Sequence, residues 1–338
     1  MRRLLRNITA LLVLGLAMGA LAAGSLRLPY QGFQGETFVR LDRGAGTPAL
    51  ARSLQQAGVI RYQWQFWLAR ALQPSAKLQA GEYRFAEPAS VQDIFGRVAR
   101  GDVFYIEVTV PEGSNVFDIQ RLLEASRAIS AQDFARAAAD PSAIRDLDPK
   151  ARSLEGYLFP ATYRISHSTT AAELCEMMTT QFRRQWKKLS AGSESVHQAV
   201  TLASMVEKET GISDERPLVA SVFVNRLMRG MNLECDPTAI YAALLENRYR
   251  GVIHQSDLDS RNPYNTYQNA GLPPGPIASP GAEALAAAIH PAETNYLYFV
   301  AKASGEGHQF SSTLAAHRKA VESYRHASKS GKNPRKAA

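Results

Sequence analysis

37-TFVRLDRGAGTPALARSLQQAGVI-60 begins as a β-rich segment, turns at a glycine and continues as a helix with Leu50, Leu54 and Ala57 on one face. A second stretch, 104-FYIEVTVPEGSNVFDIQRLLEASRAI-129, lies over it when shifted by 69 positions. Gly44 then meets Gly113, Leu50 meets Ile119, Arg52 meets Arg121, Leu54 meets Leu123 and Ile60 meets Ile129. The alignment predicts an internal strand–turn–helix repeat, although helix periodicity alone forces some of these matches. Between the copies, 78-LQAGEYRF-85 reads as a strand.

Further along, a helical stretch starts near Ser130, and 139-ADPSAIRDLDPKAR-152, broken by Pro141 and Pro149, reads as a domain boundary. Asp236-Pro237 reads as a helix N-cap followed by proline at the first helical position, and Ser279-Pro280 repeats the device. The helix 281-GAEALAAAIH-290 is stopped by Pro291. 295-NYLYFVAK-302 is a strand, and 311-SSTLAAHRKAVESY-324 is a capped amphipathic helix. Helices and strands mix without βαβ regularity, so the fold class is α+β.

The 338 residues suit two or three domains and a sizeable core. The net charge of +8 is concentrated at the ends. Arg2, Arg3 and Arg6 carry three charges, and Lys329, Lys332, Arg335 and Lys336 carry four, which leaves +1 for the rest. A nearly neutral body without a basic, aromatic-interleaved stripe excludes a nucleic-acid partner. The run 8-ITALLVLGLAMGALAAGSL-26 is 19 uncharged residues, long enough to span a bilayer as a helix. Three preceding arginines predict a cytoplasmic N-terminus (residues 1–7), an anchor over 8–26 and export of the remainder. The rival is a cleaved signal peptide, since Ala20-Leu21-Ala22 resembles an A-x-A site. Residues 27–36 read as a polar linker, and 327–338 as a disordered basic tail. Cys175 and Cys235 are expected to be unpaired thiols; with no CxxC, HxH or HExxH pattern, no metal is predicted.

The chemistry points to 205-MVEKETG-211. Its helix starts near Ser193 or Ser195 and carries Ala199, Leu202, Ala203, Met205 and Val206 on its apolar face. Glu209 lies seven residues after Leu202 and four after Met205, so it continues the buried stripe, while Glu207 falls near the stripe's other edge. Gly211 fits a left-handed helix end. A glutamate in a last turn faces the negative end of the helix dipole, and partial burial adds desolvation. Both raise its pKa, as protonation of a glycosidic oxygen requires. The plainer reading is a solvated helix end, where E-K-E patterns are common. The loops 154-LEGYLFPATY-163 and 263-PYNTYQNAGLPPGPIASPG-281 hold tyrosines and amides suited to sugars, and GLPPGPI is stiff enough to wall a groove. They equally suit a structural loop packed by its own tyrosines.

Four motifs in order, 202-LASMVEKETGISDERPLVASVFVNRL-227, 236-DPTAIYA-242, 264-YNTYQNAGLPPGPIASPGAEALAAAIHP-291 and 296-YLYFVA-301, resemble the catalytic domain of the endolytic murein transglycosylases, the YceG-like family. The resemblance covers about 151–326; more loosely, residues 36–105 resemble the family's LysM-like subdomain, associated with binding peptidoglycan. It implies a LysM-like region over 36–150 and a catalytic domain over 151–326. It also implies endolytic cleavage of MurNAc-β-1,4-GlcNAc bonds in nascent peptidoglycan, leaving 1,6-anhydro ends and terminating glycan elongation beside peptidoglycan synthases. The enzyme would be a single-pass inner-membrane protein with its catalytic domain in the periplasm, needing no cofactor. The family's catalytic acid falls on Glu209. Candidates for electrostatic help or sugar contacts are Glu155, Tyr157, Asn225, Asp236, Tyr264, Asn265 and Tyr267. Asp236 is already explained as an N-cap. Where the family usually reads FPDTY, this chain has FPATY, with Ala161 in the acidic place. A muramidase using water and a non-catalytic scaffold for cell-wall synthases are the alternatives.

Overall fold

The computed structural model describes residues 2–189, 195–302, 304 and 306–329. The chain forms two compact units, Met1–Ile106 and Glu107–Ala338. It is α+β, mostly helical with two-stranded sheets.

The first unit begins with α1 (Arg2–Ser25), whose stretch Arg6–Ser25 is, among the described residues, the one helix long and apolar enough to cross a membrane. There follow β1 (Thr37–Leu41), α2 (Thr47–Gln56), α3 (Gln63–Leu72), β2 (Gly81–Phe85) and α4 (Val91–Arg100). Strands β1 and β2 pair antiparallel, with Val39 opposite Tyr83. Alternation along β1 turns Val39 and Leu41 into a core with Leu50, Leu54, Phe66, Phe85, Ile94 and Phe95. Gly44 makes the strand-to-helix turn at φ +78, a conformation that other L-residues adopt at a cost. Residues 27–36 are pinned rather than a free linker. Leu26 is part of the core, Gln92 N–H donates to the Leu26 carbonyl at 3.1 Å, and Tyr30 bridges to Ala89.

The second unit contains β3 (Ile106–Thr109), α5 (Val116–Ser126), α6 (Ala131–Ala139), β4 (Thr162–Ile165), α7 (Ala171–Leu189), α8 (Val196–Glu209), α9 (Arg216–Met228), α10 (Asp236–Leu245), α11 (Gln255–Leu258), α12 (Ala282–Ile289), β5 (Tyr298–Ala301), β6 (His308–Ser311) and α13 (Leu314–Lys329). β3 pairs with β4, so β1-α2-α3-β2 and β3-α5-α6-β4 run in the same order. Gly113, at φ +73, turns the second copy as Gly44 turns the first, and Ile119, Leu123 and Ile129 are buried. Residues 139–152 pack inside this unit, with Ile144 and Asp148 buried, so the compact units divide earlier in the chain than the break expected there.

Helix α8 is the axis of the second unit, contacted by α9, α10 and α12. Ser195 caps its start, while Ser193 lies outside the described residues. Four sequence expectations are corrected here. Helix α8 ends at Thr210 in extended conformation, and Gly211 is not left-handed, because Thr210 Oγ1 takes the Ile212 N–H instead. Asp236 is the first residue of α10 rather than its cap. The cap of α12 is Gly281, because Ser279 is engaged through its backbone with Gly113 and Ser114. Helix α13 continues through Ala327–Lys329, into the segment read as a disordered tail, whose remaining residues 330–338 lie outside the described ones.

Candidate active site

The three charged residues of 207-EKE-209 point to three different partners. Glu207 is paired with the buried Arg216 at 3.1 Å and accepts the Gly281 N–H at 2.9 Å, tying α8 to α9 and to the start of α12. Lys208 reaches the Gly113 carbonyl at 3.0 Å. Glu209, at the last turn of α8, lines a cleft of about 250 Å³ with Asp236, Tyr267, Glu234, Arg226 and His317, backed by Phe223 and Phe299. The motif is therefore not a solvated helix end: two of its charges are spent on packing and the third faces a cavity.

Burial is the main cause that raises the Glu209 carboxyl to about 7, and the nearby Asp236 carboxylate adds to it. A hydrogen bond from the Cys235 thiol works in the opposite direction. Freed from capping, Asp236 accepts the Tyr267 hydroxyl at 2.6 Å. Burial and this bond to the Asp236 carboxylate raise the Tyr267 phenol above its ordinary range, so it stays a donor at neutral pH. The site thus holds one carboxylic acid able to keep its proton near neutrality beside a second carboxylate oriented by a tyrosine. Cys235 and Cys175 are both free and buried. Among the described residues, no group of three His, Cys, Asp or Glu is arranged to hold a metal ion.

Of the other residues expected to help, the structure places five in the packing. Glu155 is buried, accepts the Val116 N–H and the Tyr241 hydroxyl at 3.0 Å each, and is raised to about 7 chiefly by desolvation. Tyr157 is buried, packs edge-on against Phe182 and donates to Asp148. Asn225 donates to the carbonyls of Thr294 and Tyr296. Asn265 donates to the carbonyls of Leu258 and Ser260 and accepts the Tyr267 N–H, which folds the loop that presents Tyr267. Tyr264 is packed against Tyr241, 5.1 Å between ring centres. Glu155, Asn225 and Asn265 satisfy backbone polar groups, while Tyr157 and Tyr264 fill the packing around them. Ala161 stands beside β4, its carbonyl accepting the Val110 N–H.

Sequence reasoning missed Arg226, Glu234 and His317. Glu234 sits at φ +51, unusual for a non-glycine, and pairs with Arg226 at 2.9 Å. His317 stacks on Tyr298 at 5.0 Å, and burial, then the nearby Arg226, lower its pKa. Its Nδ1 is buried without a protein partner. Arg226 stood inside the motif 202–227 without being singled out, Glu234 stands beside Cys235-Asp236, and His317 comes from a helix far along the chain.

The profile of the YceG-like family matches residues 39–323. A protein of Bacillus subtilis (strain 168) named endolytic murein transglycosylase is 32% identical over 306 residues, 85% of this chain and 84% of that protein. One of the same name from Streptococcus pneumoniae (strain D39) is 28% identical and aligns over 78% of this chain; the chain spans about half of its length, 54%. A crystal structure of a yceG-like protein from Listeria monocytogenes superposes with a TM-score of 0.54 at 28% identity, covering 85% of this chain and 99% of that one.

Proposed function

The chain belongs to the YceG-like family, and from that membership and the cleft geometry we propose that it is a membrane-anchored lytic transglycosylase of peptidoglycan. Its substrate is the MurNAc-β-1,4-GlcNAc bond within nascent glycan strands. The observation that carries the reading is Glu209, an acid raised to about 7 at the wall of a cleft. It protonates the glycosidic oxygen as the C1–O4 bond breaks. The carboxylate so formed takes the proton of the muramoyl C6 hydroxyl while O6 closes on C1. The products are a GlcNAc 4-hydroxyl and a 1,6-anhydroMurNAc end, and Glu209 recovers its proton without water. Asp236, oriented by Tyr267, faces the same cleft and supplies negative potential to the oxocarbenium-like centre.

In this reading α1 is a retained inner-membrane anchor with its N-terminus cytoplasmic, the catalytic region is periplasmic, and cleavage terminates strands made by neighbouring synthases. Residues 36–105 act as a LysM-like glycan contact. A polar groove of about 600 Å³ between the Ala45–Thr47 turn and the Ser75–Gln79 segment supports that role. A second reading, hydrolysis by water, is favoured by the second carboxylate, because Asp236 in the same cleft is chemically able to activate water. The test is Glu209→Gln on uncrosslinked glycan strands. Cleavage falls by about 10²–10⁴-fold with glycan binding retained if Glu209 is the acid. Unchanged cleavage rejects its role, and absence of cleavage by the wild-type chain leaves a binding scaffold.

A further inference from the structure

The first unit carries an aromatic face that its fold does not use. In α3, Gln65, Phe66 and Ala69 are buried. Trp64 and Trp67, three residues apart on the other side, are 41% and 45% exposed. Tyr62, itself 49% exposed, stacks on Trp64 at 6.4 Å. Large apolar side chains clustered in this way on a small unit mark an interaction surface.

The position of α3 identifies the partner. Gln65 Nε2 lies 3.4 Å from Ser25 Oγ, at the last residue of α1, and Leu26 is buried in the same core. Helix α3 is therefore fixed at the level where the uncharged span ends, within a turn or two of the bilayer surface. Tryptophan is favoured at that depth, its ring in the acyl boundary and its N–H toward water. The charge pattern agrees. Residues 43–81 contain Arg43, Arg52, Arg61, Arg70 and Lys77 and no aspartate or glutamate. Such a segment is attracted to anionic phospholipid.

We propose that the Trp64–Trp67 face of α3 docks onto the headgroup–acyl boundary of the anionic phospholipid bilayer that α1 enters. The inference rests on α1 being a membrane anchor and not on the chemistry at Glu209. Docking would hold the first unit against the membrane at its exit point.

The chain has three tryptophans, and the third, Trp186, is buried. The full chain is reconstituted into vesicles of phosphatidylethanolamine and phosphatidylglycerol carrying brominated acyl chains. Flotation reads insertion of α1, and tryptophan fluorescence reads docking. The expected result is quenching of the wild-type chain, less in W64F or W67F, and none in W64F/W67F, whose conservative replacements keep the fold. Exchanging phosphatidylglycerol for phosphatidylcholine should reduce the quenching. A chain that floats without being quenched overturns the docking surface. A chain that does not float overturns the anchor and the surface together. Wild-type emission that responds to soluble glycan strands but not to brominated lipid overturns it in favour of a sugar platform.

Discussion

At the residue scale, the account turns on one proton. Glu209 is raised to about 7 by burial and by Asp236, so its acid form is available below that pH and lost above it. The cleavage rate should fall as pH rises through about 7. Asp236→Asn removes the neighbouring anion, so the Glu209 pKa drops and this alkaline limb moves to lower pH; a limb that stays in place in a pH–rate profile contradicts the coupling. The same shift has a stability consequence. Below the ordinary carboxyl range both folded and unfolded chains hold the proton. As pH rises from the ordinary value of 4.5 to about 7 the unfolded chain ionises while the folded chain keeps its proton, so stability is lost across that window and the loss is complete above it. Glu209→Gln does not titrate. It should therefore gain roughly 1–3 kcal/mol over wild type between pH 4 and pH 8, the upper figure being the full shift and the lower a discount for the side of Glu209 open to the cleft. Denaturant melts at the two pH values measure it, and equal differences at both reject the buried-acid description.

At the scale of elements, the loop 263–281 is organised by one amide. The Asn265 side chain donates to the Leu258 and Ser260 carbonyls and accepts the Tyr267 N–H, which sets Tyr267 against Asp236. Asn265→Ala leaves those carbonyls without their donor and should cost about 2–3 kcal/mol. It should also lower cleavage by freeing Tyr267. Chemical denaturation and turnover check the two effects, and wild-type values in both contradict the role. This residue also shows what was legible in advance. The strand–turn–helix similarity at 44 and 113 was readable because apolar spacing directly reports the buried face of each helix. For the same reason Glu209 was placed on the apolar stripe of α8 from Leu202 and Met205 alone. Polar partners were not readable. Asn265, Asn225 and Glu155 have the composition of a sugar site, yet they satisfy backbone groups or a neighbouring tyrosine. Asp236, read both as a cap and as a site candidate, lines the cleft with Tyr267. His317 was unreadable, because nothing near it in sequence reports where α13 packs.

At the scale of the molecule, each unit encloses its own core, the first around Phe66 and Phe95 and the second around Met205 and Phe223. The proposed site lies in the second, where elements from Glu209 to His317 contribute one cleft. The first carries the apolar helix α1, long enough to cross a membrane, and a polar groove of its own. On the proposed function, attachment and cutting are assigned to different parts of the chain, as suits an enzyme acting on a polymer made at a membrane surface. The most direct test is the chemical nature of the ends it makes. Uncrosslinked glycan strands are incubated with the full chain in detergent, with Glu209→Gln beside it, and the fragments are analysed by mass spectrometry. The account predicts 1,6-anhydroMurNAc ends from the wild-type chain and none from the variant; reducing MurNAc ends, carrying an added water, would contradict it.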